Sequence, residues 1–117
     1  MSRDLLHAPW SDEITLVWLE AQTAGSGFAE ETEHRSDPPL MCDWEDGVSQ
    51  SEFYRSMKAG NEAAAQAEVN TADYAEFWPA NYSGYRFAEF CGKRYRILRS
   101  FPQTFDTTTL ILTEVIR

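Results

Sequence analysis

Residues 86–101, Arg86-Phe87-Ala88-Glu89-Phe90-Cys91-Gly92-Lys93-Arg94-Tyr95-Arg96-Ile97-Leu98-Arg99-Ser100-Phe101, decide how this chain folds. Two runs rich in aromatic and aliphatic residues flank Cys91-Gly92, so the stretch reads as a β-hairpin closed by a tight turn. Side chains alternate across a strand, which sends Tyr95 and Ile97 to one face and Arg94 and Arg96 to the other. Pro102 to Asp106 is turn chemistry. Thr107 to Ile116 follows as a final strand with Leu110, Leu112 and Ile116 on one face.

Working back from this hairpin, the alanine-rich run Ala63 to Asn70 poses a choice. Alanine favours helix, yet Ala65, Ala67 and Val69 alternate with Gln66, Glu68 and Asn70, and the alternation predicts a strand. Before it, Ser49-Gln50-Ser51-Glu52 matches a capping box, in which the Ser49 hydroxyl accepts from the backbone N–H three residues on. The helix so started runs over about 50–59, with Phe53, Tyr54 and Met57 on its apolar face and Gly60-Asn61 as its stop. Leu40 to Trp44 is extended and Glu45-Asp46-Gly47 turns. Glu13 to Glu20 is a first strand, with Leu16 to Leu19 apolar enough for burial on both faces.

The remaining segments are irregular. Residues 1–12 read as an N-terminal arm that Pro9 keeps from being helical, with Trp10 as its anchor. Thr23 to Pro39, with Gly25-Ser26-Gly27 and Ser36-Asp37-Pro38-Pro39, reads as a flexible loop. Asp73 to Tyr85 reads as an irregular excursion anchored by Tyr74, Phe77, Trp78 and Tyr82. Several short strands, one helix and no βαβ rhythm predict a mainly β fold: a small antiparallel β-barrel with one short α-helix and long loops. The organisation is an arm over 1–12 and a single barrel domain over 13–117, with a flexible loop at 23–39 and a helix-containing loop at about 47–69.

A chain of 117 residues fits one domain. No apolar run approaches the roughly 18 residues that span a bilayer, and Met1 to His7 lacks the apolar stretch of a signal peptide. The expectation is a soluble chain made in the cytoplasm, with Cys42 and Cys91 as free thiols. The net charge of −9 is unevenly spread. Residues 1–80 carry −12 and residues 81–117 carry +3, a division that suits two surfaces meeting different partners.

Catalytic chemistry has little to work with. Glu30, Glu31 and Glu33 sit in a breaker-rich segment. Asp43, Glu45 and Asp46 crowd a turn without the alternating acids and distant glutamate of a calcium loop. His7 and His34 are isolated from the cysteines at zinc-ligand spacing, and no nucleophile elbow or glycine-rich phosphate loop is present. We therefore expect no enzyme, cofactor or metal. The cations Lys93, Arg94, Arg96 and Arg99 form a ridge beside Tyr95 and Phe101. Such interleaving serves single-strand binding on an OB-like nucleic-acid module, or docking onto an acidic neighbour.

Val48-Ser49-Gln50-Ser51-Glu52-Phe53-Tyr54, Gly60, and the hairpin Phe90-Cys91-Gly92-Lys93-Arg94-Tyr95-Arg96-Ile97-Leu98-Arg99 together resemble the head-closure proteins of long-tailed bacteriophages, also called head-tail adaptor, joining or stopper proteins. In that family a turn and a short "(S/G)QSEFY"-like helix precede a strand. A "(Y/F)xGKxYxVxR" hairpin then leads to a terminal strand, matched here by Thr107 to Glu114. The resemblance covers roughly residues 40–117. It departs at Asp73 to Tyr85 and at the acidic loop before Pro38. It implies a structural subunit in the virion neck of a tailed phage or phage-like particle, forming a homo-oligomeric ring, dodecameric or alternatively hexameric. The partners implied are the portal–adaptor complex and the tail terminator or other tail proteins. Packaged double-stranded DNA would pass through the channel without specific binding. Carried over residue by residue, the stopper or channel-facing segment is Ser49, Gln50, Ser51, Glu52, Phe53 and Tyr54, with the stretch through Gly60 to Val69; by its charge, the ridge Lys93, Arg94, Arg96 and Arg99 is the inter-subunit or docking face. A tail terminator is the alternative within the same neck.

Overall fold

A computed structural model describes residues 10–23, 29–49, 52, 57 and 63–115. Seven strands are placed among them: β1 (Asp12–Thr23), β2 (Ala29–Arg35), β3 (Leu40–Asp46), β4 (Ala65–Asn70), β5 (Arg86–Phe90), β6 (Lys93–Pro102) and β7 (Thr107–Glu114). One helix, α1 (Thr71–Phe77), lies between β4 and β5. The hydrogen-bonded order is β2-β1-β3-β4-β7-β6-β5, and β5 pairs again with β1. Six strands thus close into an antiparallel barrel, and β2 is left outside it as an extension of β1. Closure removes the open edges that a flat sheet of this size would present.

Small residues make so narrow a barrel possible. β4 sends Ala65, Ala67 and Val69 inward, each at most 1% exposed, and β5 contributes Ala88. On the neighbouring strands Leu112 and Leu110 of β7 stand beside Ala65 and Ala67, and Leu16 of β1 and Tyr95 of β6 stand beside Ala88, all buried in one cluster with Ile14 of β1. Interiors of small barrels fill in this way, with large side chains opposite small ones. The burial of β4 alternates residue by residue, so alternation outweighs the helix propensity of its alanines.

The β5–β6 hairpin turns at Cys91-Gly92, both with positive φ (50° and 79°). That is the geometry a two-residue hairpin turn requires, and glycine supplies half of it without strain. β6 then carries an irregularity between Ile97 and Arg99, where Leu98 is the extra residue and Arg99 pairs with Ile111. A bulge of this kind places two successive side chains on one face, here Leu98 and Arg99 on the outer wall. Ile111 lies on that wall too, yet is 1% exposed.

Two expectations are corrected here. The loop reading of 23–39 gives way to β2, which pairs with Val17–Thr23 through seven rungs. The irregular reading of 73–85 holds from Trp78 to Tyr85 but gives way before it to α1, whose N-cap Asn70 accepts from the Asp73 N–H at 3.1 Å. Tyr74 and Trp78 bury inward from this element and join the core, so α1 lids the end of the barrel formed by the C-terminal ends of β4 and β6. After it, the Tyr82 hydroxyl donates to the Tyr85 carbonyl at 2.8 Å. This folds the ring so close to Gly84 that a Cβ there would lie 2.5 Å from the phenolic oxygen. The opposite end holds Trp44, stacked on Phe90 with centroids 3.9 Å apart and edge-on to Tyr95. Trp10 packs on the core as the anchor of the chain preceding β1. No described helix is long and apolar enough to cross a membrane.

Candidate functional site

The ridge of β6 was the clearest candidate surface in the sequence, and its arginines are already engaged within the chain. Arg94 is placed opposite Glu89 by the two-residue turn. Its Nε and Nη2 donate to Glu89 at 3.0 and 2.7 Å, and Nη2 also donates to both oxygens of Glu33 at 3.1 Å. Arg35 ion-pairs with Glu89 as well, and with Glu33 at 3.3 Å. Four charges from β2, β5 and β6 therefore form one network on the outer wall. Val17 points to the same face and is fully buried, with Phe87 and Arg35 as its cross-strand neighbours. The network thus does two things: it covers an outward valine and fastens β2 to the barrel.

Its electrostatics follow from this arrangement. The Arg35 hydrogen bond, with that of Arg94, holds the Glu89 carboxyl below the usual carboxylate range against the opposing effect of burial. Arg35 is raised by its bond to Glu89. Arg94 is also raised, its carboxylate partners outweighing the burial that opposes them. A depressed carboxylate stabilises the fold fully above its unfolded pKa, and that contribution disappears as pH falls through the folded value. Glu89→Gln is accordingly expected to cost about 1 kcal/mol at neutral pH, the range between exposed and buried pairs. The cost should shrink toward zero in urea melts run progressively below the ordinary carboxylate range, where the native chain has lost the same charge.

Arg99 ion-pairs with Glu52. This joins two segments that the sequence kept apart: Glu52 of the capping-box segment meets Arg99 of the β6 ridge on the barrel's outer wall. Glu52 and Met57 are helical, and the Glu52 N–H donates to the Ser49 hydroxyl at 3.3 Å, as the capping box requires. Gln50, Ser51, Phe53, Tyr54 and Gly60 lie outside the described residues. The excursion that carries this helix has a closed base. The Gly47 N–H donates to the Ala64 carbonyl, and the Ala64 N–H to the Leu112 carbonyl, both at 2.8 Å. The excursion is thus an insertion into an otherwise continuous β3–β4 hairpin, and Glu52 leans it against β6.

Of the other ridge residues, Arg96 lies over the exposed Tyr85 ring at 4.8 Å, and Lys93 is exposed beside the turn. Arg99 also lies over Phe101 at 5.1 Å. The wall formed by β3 and β4 is acidic: Asp43 stands directly opposite Glu68, and Glu45 accepts from the Gln66 amide at 3.1 Å. A chain with one acidic wall and one wall of compensated arginines repels a polyanion along one side and offers it few free cations on the other. Both cysteines are free. Cys42 is buried beside Asp12, and burial pushes its thiol up to about 12; Cys91 is exposed in the turn. Among the described residues no group of three or more histidine, cysteine or carboxylate side chains is gathered as a metal site.

Arg35 and Glu89 were not picked out in the sequence, and Glu33 was weighed there only as a carboxylate in a breaker-rich segment. Glu89 was within reach, because a two-residue turn at Cys91-Gly92 fixes it opposite Arg94. Glu33 was not, because its position depends on a strand the sequence did not reveal. No protein-family model matches the chain, and no curated protein matches it either.

Proposed function

We propose that this chain is a structural, non-enzymatic connector subunit: a head-closure or stopper protein in the neck of a tailed phage or phage-like particle. It would form a ring below the portal and adaptor that retains DNA and docks the tail. The observation that carries the reading is the placement of the two resembling segments. The segment from Gly47 is a helix-bearing insertion in the β3–β4 hairpin, and the segment from Phe90 is the β5–β6 hairpin of the same closed barrel. Glu52 and Arg99 bring the two into contact.

In this reading the gate is steric. An acidic wall lets a polyanion slide past it, and closure comes from the insertion of each subunit meeting its neighbour's. Ring contacts are heterologous, one face against a different face, which the −12 and +3 division of the chain supports. Particles assembled without this protein are expected to package DNA, to lose it, and to lack joined tails, with purified protein restoring both properties. Normal tailed particles formed in its absence contradict the proposal. The engagement of Arg94 and Arg99 by carboxylates weighs against an OB-like nucleic-acid module, which needs its cations free for phosphate.

A further inference from the structure

Barrel closure leaves an open strand edge on β1 beyond Trp18. β1 is paired on one side by β3 at Asp12–Ile14 and by β2 at Val17–Thr23. On its other side it is paired by β5, from Thr15 to Trp18. Beyond Trp18, β1 and β2 continue as a two-strand ribbon. Leu16 shows which way the backbone groups face. Its N–H donates to the Ser36 hydroxyl and its carbonyl accepts from the Ser36 N–H, both at 2.9 Å on the β2–β3 side. Backbone groups of successive residues point to opposite edges. Those of Trp18 and Glu20 therefore face β2, and those of Leu19 and Ala21 face the side that β5 has left. No strand among the described residues pairs there.

The ribbon is held firmly at its base. Trp18 stacks on His34 with centroids 4.1 Å apart, His34 Nε2 lies 2.7 Å from Glu20 Oε1, and Glu33 is bound by Arg94. A two-strand ribbon is marginal in water by itself, and a third strand is what such elements need. The rigid base means that an incoming strand does not have to order the edge it joins.

We propose that the Leu19–Ala21 edge of β1 is a docking site at which an extended, lysine- or arginine-bearing segment of a different polypeptide adds as a third strand. Main-chain hydrogen bonds would supply the attachment and charge the selectivity. Residues 19–23 and 29–35 carry the acids Glu20, Glu30, Glu31 and Glu33 against the single cation Arg35. Arg35 and Glu33 are already engaged with Glu89 and Arg94, while Glu31 is exposed opposite Ala21. A second copy of the chain is disfavoured as occupant. Ribbon against ribbon would set acidic strands side by side, and like charges facing across a strand pair repel. The site does not depend on which assembly the chain serves.

The test uses the full chain and two capped octapeptides, one alternating lysine with threonine and one alternating glutamate with threonine. At low salt the lysine peptide is expected to slow amide exchange at Leu19 and Ala21 by about tenfold or more, with the effect weakening at physiological salt. The glutamate peptide is expected to leave both amides unchanged. Ala21→Pro removes the edge donor and should abolish the protection. Because proline also loosens a ribbon, Glu31→Lys serves as the second variant: it leaves the ladder intact and should weaken the lysine peptide while admitting the glutamate one. Absence of slowing by the lysine peptide overturns the proposal. So does equal slowing by both peptides, or slowing that grows with the concentration of the chain alone.

Discussion

Removing Gly47 to Gly60 is expected to leave a folded barrel whose particles fill with DNA but leak it or fail to join tails. The structural half of this expectation rests on the base of the insertion. Asp46 pairs with Ala65, and Gly47 and Ala64 are hydrogen-bonded beyond them. Deletion leaves Asn61 to Ala64 to connect β3 and β4, and a loop of that length closes a hairpin without disturbing its strands. What the barrel loses is the Glu52–Arg99 ion pair and the Gly47–Ala64 hydrogen bond. Loss of a partly exposed pair costs about 1 kcal/mol or less, so thermal unfolding should shift modestly and stay cooperative. On the proposed function the second half is large, because a steric gate without its insertion retains nothing. Nuclease sensitivity of packaged DNA and counts of tailed particles measure it. Normal infectious particles from the deletion would remove the gate from the account.

Leu112→Ala is expected to be the most damaging single truncation of the barrel, at about 3 kcal/mol by chemical denaturation. Leu112 is fully buried, pairs with Ala65 on one side and Ile97 on the other, and its carbonyl accepts from Ala64. Its β4 neighbour is an alanine, too small to fill the space that the truncation leaves. The converse change, Ala67→Leu, should be comparably harmful for the opposite reason. Ala67 is 1% exposed and pairs with Leu110 and Trp44, and extra methylenes in a filled barrel force strain. A loss below about 1 kcal/mol for Leu112→Ala would mean that the lumen collapses more readily than this packing implies.

What the sequence revealed and what it concealed follow from how each element is stabilised. β4 was legible because its alternation of alanine with polar residues is itself the burial pattern of a barrel strand. The Cys91-Gly92 turn was legible because local backbone preference decides it. β2 was hidden: it has no apolar alternation, follows a glycine-rich stretch, and is held by ion pairs to Arg94, a residue 61 positions away from Glu33. α1 was hidden by its shortness. Seven residues with Tyr74 and Phe77 inside and Trp78 just after look like aromatic anchors, although Asn70 three residues before Asp73 is an N-cap signal. The ridge of β6 was read correctly as outward-facing. Its partners were not foreseen, because the β2 contribution depends on long-range pairing and the Glu52 contribution on how the insertion folds back.

The same reasoning places the central claim where a direct observation can reach it. The proposed function has this chain sit beside copies of itself around a passage, and imaging decides whether it does. Negative-stain images of the purified protein, alone and mixed with the portal–adaptor complex of its own particle, are the measurement. The account predicts an added ring of density, coaxial with the portal and on the tail side of the adaptor. Single copies that never join the complex at any concentration would contradict it.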